Sequence, residues 1–128
     1  MRSDDPSSIA DYGDRLYPFC EKTSFSPGDV IRQSGQYYKD MYLITEGRVD
    51  VCLSGQTIEL GPGVPIGEIA FIWECCAIGT VIARTAVNAI VIDDHTLQKM
   101  RQCDREWVTD FCKSLTTIAE QRVGTLVF

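Results

Sequence analysis

The residue types best suited to hold a small ligand sit together in Leu60-Gly61-Pro62-Gly63-Val64-Pro65-Ile66-Gly67-Glu68-Ile69-Ala70-Phe71. A strand carrying Ile58 and Leu60 runs into a Gly/Pro cluster, and an Ile-Gly-Glu turn then opens a short apolar helical turn. Consecutive backbone N–H groups at such a turn, with no Cβ at Gly67, form a cradle for a phosphate. Glu68 beside that cradle suits a hydroxyl donor, because a carboxylate repels a phosphate. Catalytic chemistry finds less support. His95 is the lone histidine, so the several histidine ligands of a metal cupin cannot be assembled. No Ser-His-Asp set, P-loop or dinucleotide fingerprint is present. No catalytic residue and no metal site is expected, and the chain does not read as an enzyme.

Six cysteines (Cys20, Cys52, Cys75, Cys76, Cys103 and Cys112) contain no Cys-x-x-Cys pair, which leaves a zinc ribbon or thioredoxin-like motif unsupported. Cys75 and Cys76 are adjacent in the loop after the helical turn. They read either as small residues or as a redox or metal pair. The 128 residues amount to one domain with a real core. A hydrophobic content of 45% and a charged content of 23% are ordinary for a soluble globular protein. A net charge of −6 argues against direct nucleic-acid binding, which rests on neutralising phosphates with Lys and Arg. No apolar run approaches the roughly 20 residues that span a bilayer, and the first residues are no signal peptide. The expected location is cytoplasmic, with reduced thiols.

The elements that must position the turn are short strands. Residues 1–15 read as a polar linker and 16–128 as the domain. Strands are predicted near 29–33, 41–46, 48–54, 56–60, 80–85 and 88–92. Glu46-Gly47 and Ser54-Gly55 are turns between them. Strands this short, punctuated by Gly and Pro, imply a mainly β jelly-roll sandwich (a double-stranded β-helix). Helices are predicted near 95–102, behind an Asp93-Asp94 cap, and near 105–122, behind Asp104. Trp107, Val108, Phe111, Cys112, Leu115, Ile118, Ala119, Arg122 and Val123 trace one face of the second. That face either packs on the sandwich, covers the site as a lid, or forms a homodimer contact. Its far half is expected at the pocket mouth or against a second copy.

Gly67-Glu68-Ile69-Ala70-Phe71 resembles the first half of the phosphate-binding cassette of cyclic nucleotide-binding domains, as in catabolite activator proteins and protein kinase A regulatory subunits. The segments Phe25 to Ile31, Gly35, and Met41 to Val51 resemble that family's strand and turn pattern. So do Thr80 to Thr85 and Ala89 to Ile92, and the resemblance runs from about Leu16 to Val123. It implies a short cassette helix, two C-terminal helices, and a regulatory module that switches an attached or partner effector. It also implies that Glu68 accepts a ribose hydroxyl, that amides around Ile69 and Ala70 face a cyclic phosphate, and that Val51 lines the base side. The sequence carries no helix-turn-helix, kinase or pore pattern, so a bare sensor module is expected, free-standing or cut from a larger protein.

The second half of the cassette departs from the family pattern. Its Pro-Arg-Ala falls on Cys76-Ala77-Ile78, so the arginine that pairs with the phosphate becomes Ala77 and the neighbouring hydroxyl position becomes Ile78. Arg84 is the nearest cation, and strand alternation turns it outward. Loss of charge-assisted contacts summing to about 3–5 kcal/mol weakens binding on the order of 10²–10³-fold. The expected ligand is a weakly bound cAMP or cGMP, a less anionic small molecule, or none. The alternatives are an interaction or dimerisation domain and a thiol-based redox sensor.

Overall fold

Alternation along the strands decides the layering. The computed structural model describes Pro18 and residues 20–126; the linker predicted over 1–15 lies outside the described residues. The strands are β1 (Glu21–Phe25), β2 (Val30–Arg32), β3 (Asp40–Glu46), β4 (Val49–Leu53), β5 (Gln56–Leu60), β6 (Pro65–Ile66), β7 (Thr80–Ala83) and β8 (Val87–Asp93). The helices are α1 (Glu68–Trp73), α2 (Asp94–Cys103) and α3 (Arg105–Leu126). One four-stranded sheet has the order β1-β8-β3-β6 and the other β2-β7-β4-β5, with antiparallel pairing throughout. This is the expected jelly-roll sandwich. Strands β1 and β6 were not among those predicted, because Glu21-Lys22 and a two-residue pairing carry too little alternation to signal a strand.

On β3 and β8, Met41, Leu43, Ile90 and Ile92 face the helices and pack with Leu97, Met100, Val108, Phe111, Leu115 and Ile118. Their alternates Ile44 and Val87 face the other sheet and meet Ile31, Val49, Ile66, Val81 and Ala83. The first sheet is thus buried on both faces, with helices behind it and the second sheet in front. Val108, Phe111, Leu115, Ile118 and Ala119 are all buried in their own chain. Most of the apolar stripe of α3 is therefore spent on the sandwich. The side chain of Val123 lies outside what the structure describes.

The turns follow their residue types. Ser54 and Gly55 both have positive φ (50° and 78°), the signature of a two-residue hairpin that matches strand twist. Gly47 has φ 93°, and a Cβ there would lie 2.1 Å from the Ala86 carbonyl oxygen, so only glycine fits. Among the described residues, no helix is long and apolar enough to cross a membrane.

Asp93 caps α2, its Oδ1 accepting from the Thr96 amide and hydroxyl, each at 2.8 Å. These bonds hold the Asp93 carboxyl below its ordinary value, the Thr96 amide contributing most. Asp93→Ala should cost about 1 kcal/mol, measured by urea unfolding at neutral pH. The carboxyl is depressed in the folded state, so its contribution is whole above the unfolded aspartate value of about 3.9. It is lost as pH falls through the lower folded value. The difference between wild type and Asp93→Ala should shrink over that acidic range and not between pH 6 and 8.

Candidate functional site

A cavity of about 340 Å³ lies between the second sheet, the turn before α1 and the end of α3. Aliphatic side chains of Val51, Leu53, Ile58, Leu60 and Val81 form its sheet wall. Ile66, Gly67, Glu68 and Ile69 form a second wall, and Ala77, Ile78 and Gly79 a third. The sequence therefore placed Val51, Gly67, Glu68, Ile69, Ala77 and Ile78 around one cavity. Ala70 lies in α1, and its side chain is outside what the structure describes. The Phe71 amide donates to the Gly67 carbonyl at 3.0 Å. The amides of Glu68, Ile69 and Ala70 thus precede the first intrahelical bond.

Glu68 is 2% exposed, and its partner comes from the far end of the chain. Arg122 on α3 donates through Nη1 to Glu68 Oε1 at 2.6 Å and to the Pro65 carbonyl at 2.8 Å. Arg122 and Gln121 line the cavity, so the far half of α3 meets the pocket mouth, one of the two places expected for it.

A second arginine, Arg32, also lines the cavity and is 3% exposed. Its Nη2 donates to the Asp40 carbonyl at 3.0 Å and pairs with the Asp40 carboxylate. Its guanidinium lies 4.1 Å from the Tyr38 ring and 4.3 Å from the Tyr42 ring. Gly67 makes room for it: at φ 83°, an added Cβ would sit 3.3 Å from Arg32 Nε. Strict alternation would turn Arg32 outward, because Ile31 is in the core. A bulge between Val30 and Arg32 shifts the register against β7, and the consecutive Ile31 and Arg32 are both buried.

Arg84 is turned away from the cavity. Its Nε lies 3.0 Å from Asp50 Oδ1 and 2.9 Å from Glu59 Oε1 on the outer face. Cys75 and Cys76 are half-buried free thiols after α1. Burial, with Asp93 nearby, pushes the Cys20 thiol up to about 11, and burial also raises Cys112. His95 is exposed in the first turn of α2. Among the described residues, no group of three or more His, Cys, Asp or Glu side chains is placed to hold a metal ion.

Both arginines lie far from the cassette in sequence, so local pattern does not bring them to it. Arg122 had a signal, since it interrupts an otherwise apolar stripe. Arg32 had none that alternation could supply.

Comparison with known proteins supplies the family. The chain is 24% identical over 135 residues to a cGMP-dependent protein kinase of Drosophila melanogaster, covering 99% of this chain but only 12% of the kinase. The regulatory subunit of a cAMP-independent protein kinase A from Trypanosoma brucei matches at TM-score 0.66 and 25% identity, over 88% of this chain and 43% of that one. A structure from work on a cyclic-GMP-dependent signalling pathway in bacterial phytopathogenesis matches at TM-score 0.77 and 16% identity, over 93% and 96% of the two chains. The family model for the cyclic nucleotide-binding domain matches residues 22–104. With the cassette turn, the two sheets and the helix-covered cavity in their places, the chain belongs to the cyclic nucleotide-binding domain family.

Proposed function

We propose that this domain is a regulatory ligand-sensing module, acting in the cytoplasm on an attached or partner effector, whose cavity takes a neutral nucleoside-class ligand. Cyclic nucleotide binding is weak or lost. The observation that carries this reading is the charge balance of the cavity wall. Ala77 and Ile78 line the cavity at the positions that the family pattern gives to the phosphate anchor, and Arg84 is committed to Asp50 and Glu59. The two arginines that do line the cavity each already pair with a carboxylate, Arg122 with Glu68 and Arg32 with Asp40. No net positive charge is left to offset a cyclic phosphate, while an aliphatic wall suits a base and Glu68 suits a sugar hydroxyl.

Two related structures support the reading. The Trypanosoma cruzi counterpart of the trypanosome subunit, 22% identical with TM-score 0.59, has been captured bound to guanosine. A mutant of the T. brucei subunit that gains an arginine among its substitutions is bound to cAMP in its A site.

Calorimetry with guanosine, adenosine, cAMP and cGMP tests the proposal. Micromolar binding of a nucleoside, with millimolar or undetectable cAMP and cGMP, is expected. Micromolar cAMP or cGMP binding by the unaltered chain would overturn it.

A further inference from the structure

The guanidinium of Arg32 is committed at every nitrogen but one. Its Nη2 bonds to the Asp40 carbonyl and carboxylate, and its Nη1 donates to the Ile31 carbonyl at 3.4 Å. The rings of Tyr38 and Tyr42 lie against it. The remaining donor, Nε, is buried and has no hydrogen-bond partner among the described residues. Buried polar atoms without partners are rare in native proteins, and a missing ligand is one of the few physical reasons for them. Arg32 belongs to the cavity wall. So does Gly67, where a Cβ would lie 3.3 Å from Nε. We propose that Arg32 is a specificity-determining residue of this cavity, its Nε donating to the 5′-hydroxyl oxygen of a bound nucleoside. The inference rests on the reading of the cavity as a nucleoside-class site.

The choice of that hydroxyl follows from what the wall offers each part of a nucleoside. The base suits the aliphatic wall of Val51, Leu53, Ile58, Leu60 and Val81. The ring hydroxyls of the sugar can donate to Glu68, because an ionised carboxylate only accepts. The 5′-hydroxyl remains, and its oxygen needs a donor. Gly67 is the neighbour of Glu68 in the chain and of Arg32 in space, so acceptor and donor meet at one turn.

Charge decides between a hydroxyl and a phosphate at this donor. Asp40 already neutralises Arg32, so Nε offers a hydrogen bond without a surplus charge. A cyclic phosphate would carry its negative charge towards the Asp40 carboxylate, and its 5′-oxygen is esterified. Burying that anion without a counter-charge costs more than one bond returns, whereas a hydroxyl brings no such penalty. The guanidinium is also held in place by its other contacts, so a ligand bond to it spends little on ordering the side chain. With Nε enclosed, the bond forms as the turn at Gly67 yields. A glycine at φ 83° brings no side chain to stand in the way.

Guanosine and 5′-deoxyguanosine, which lacks only that hydroxyl, are titrated into wild type and Arg32→Lys, with thermal melting to check folding. Wild type should bind 5′-deoxyguanosine about ten- to a hundredfold more weakly than guanosine, the range for one hydrogen bond to a charged group. Arg32→Lys keeps a positive charge for Asp40 but has no Nε–H, so it should bind the two ligands alike, at the weaker level. Equal affinities in wild type would sink the proposal, and so would a lysine variant that still prefers guanosine. Should Arg32→Lys not fold, the arginine Nε–H resonances of wild type decide by NMR. The one close to the Tyr38 and Tyr42 rings should shift and exchange more slowly with guanosine and not with 5′-deoxyguanosine. An identical response to both would overturn the assignment. Failure of wild type to bind any nucleoside would fell the nucleoside reading and this inference together, whereas nucleoside binding indifferent to the 5′-hydroxyl would fell this one alone.

Discussion

Replacing Ala77 by arginine should raise the affinity for cAMP and cGMP by about ten- to a hundredfold, the worth of a charge-assisted contact to phosphate. Ala77 is 7% exposed and lies in the cavity wall. Its backbone is pinned on both sides: its amide donates to the Gln36 carbonyl and its carbonyl accepts from the Gly35 amide, each at 2.8 Å. A long side chain at this position therefore starts from a fixed point and extends into the cavity. Glu68 would otherwise attract the introduced guanidinium, but Arg122 already occupies it at 2.6 Å, which leaves the new charge for the ligand. Guanosine should gain nothing, because it has no phosphate. Calorimetry on Ala77→Arg against cAMP, cGMP and guanosine separates a real anchor from a general change in pocket shape. Ile78 is 40% exposed at the rim, and Ile78→Ser offers a hydroxyl where the isoleucine offers none. No gain in the Ala77→Arg, Ile78→Ser double variant would mean that the cavity excludes the phosphate by shape as well as by charge.

How much of this was legible in the sequence depended on whether the deciding interaction was local. The hairpins, the caps at Asp93 and Asp104, and the cassette turn are written in adjacent residues. Each was readable because Gly, Ser or Asp fixes backbone geometry where it stands. The Asp104 cap is one example, with its Oδ1 accepting from the Trp107 amide at 3.1 Å. Strand β6 escaped because two residues paired with Tyr42 and Leu43 leave no period to detect.

The site was legible by half for the same reason. Gly67, Glu68 and Ile69 follow one another, so their convergence on a cavity is a property of one turn. Arg32 enters through a bulge, and Arg122 enters because α3 runs back across the first sheet to the cassette. Neither approach is visible without the tertiary path. No Lys or Arg lies between Glu68 and Arg84 along the chain, yet that is no measure of the charge in the cavity. The pocket has arginines in its wall, and their carboxylate partners, not their absence, set the balance.

Phe111→Ala should destabilise the domain by about 3–5 kcal/mol, the usual range for deleting a fully buried aromatic ring. Phe111 is 0% exposed and stacks on Trp107 with ring centroids 5.5 Å apart and planes within 5°. Its cluster joins Met41, Leu43, Ile90 and Ile92 of the first sheet to Leu97 and Met100 of α2 and to Leu115 and Ile118 of α3. Against a total stability of roughly 5–15 kcal/mol for such a domain, this loss is a large fraction. The way it appears matters as much as its size. Since the sheet buries its rear face under the helices, with Phe71 and Ile72 of α1 packed beside α2 and α3, the helices and sandwich should unfold in one transition. Urea unfolding of Phe111→Ala should show a lower midpoint with an unchanged slope, because the slope follows the surface exposed. A variant that loses helical signal at low urea while the sandwich persists would show that α3 is a detachable arm. That result would also detach Arg122 from the cavity, since Arg122 reaches Glu68 only while Phe111, Leu115 and Ile118 hold α3 against the sheet.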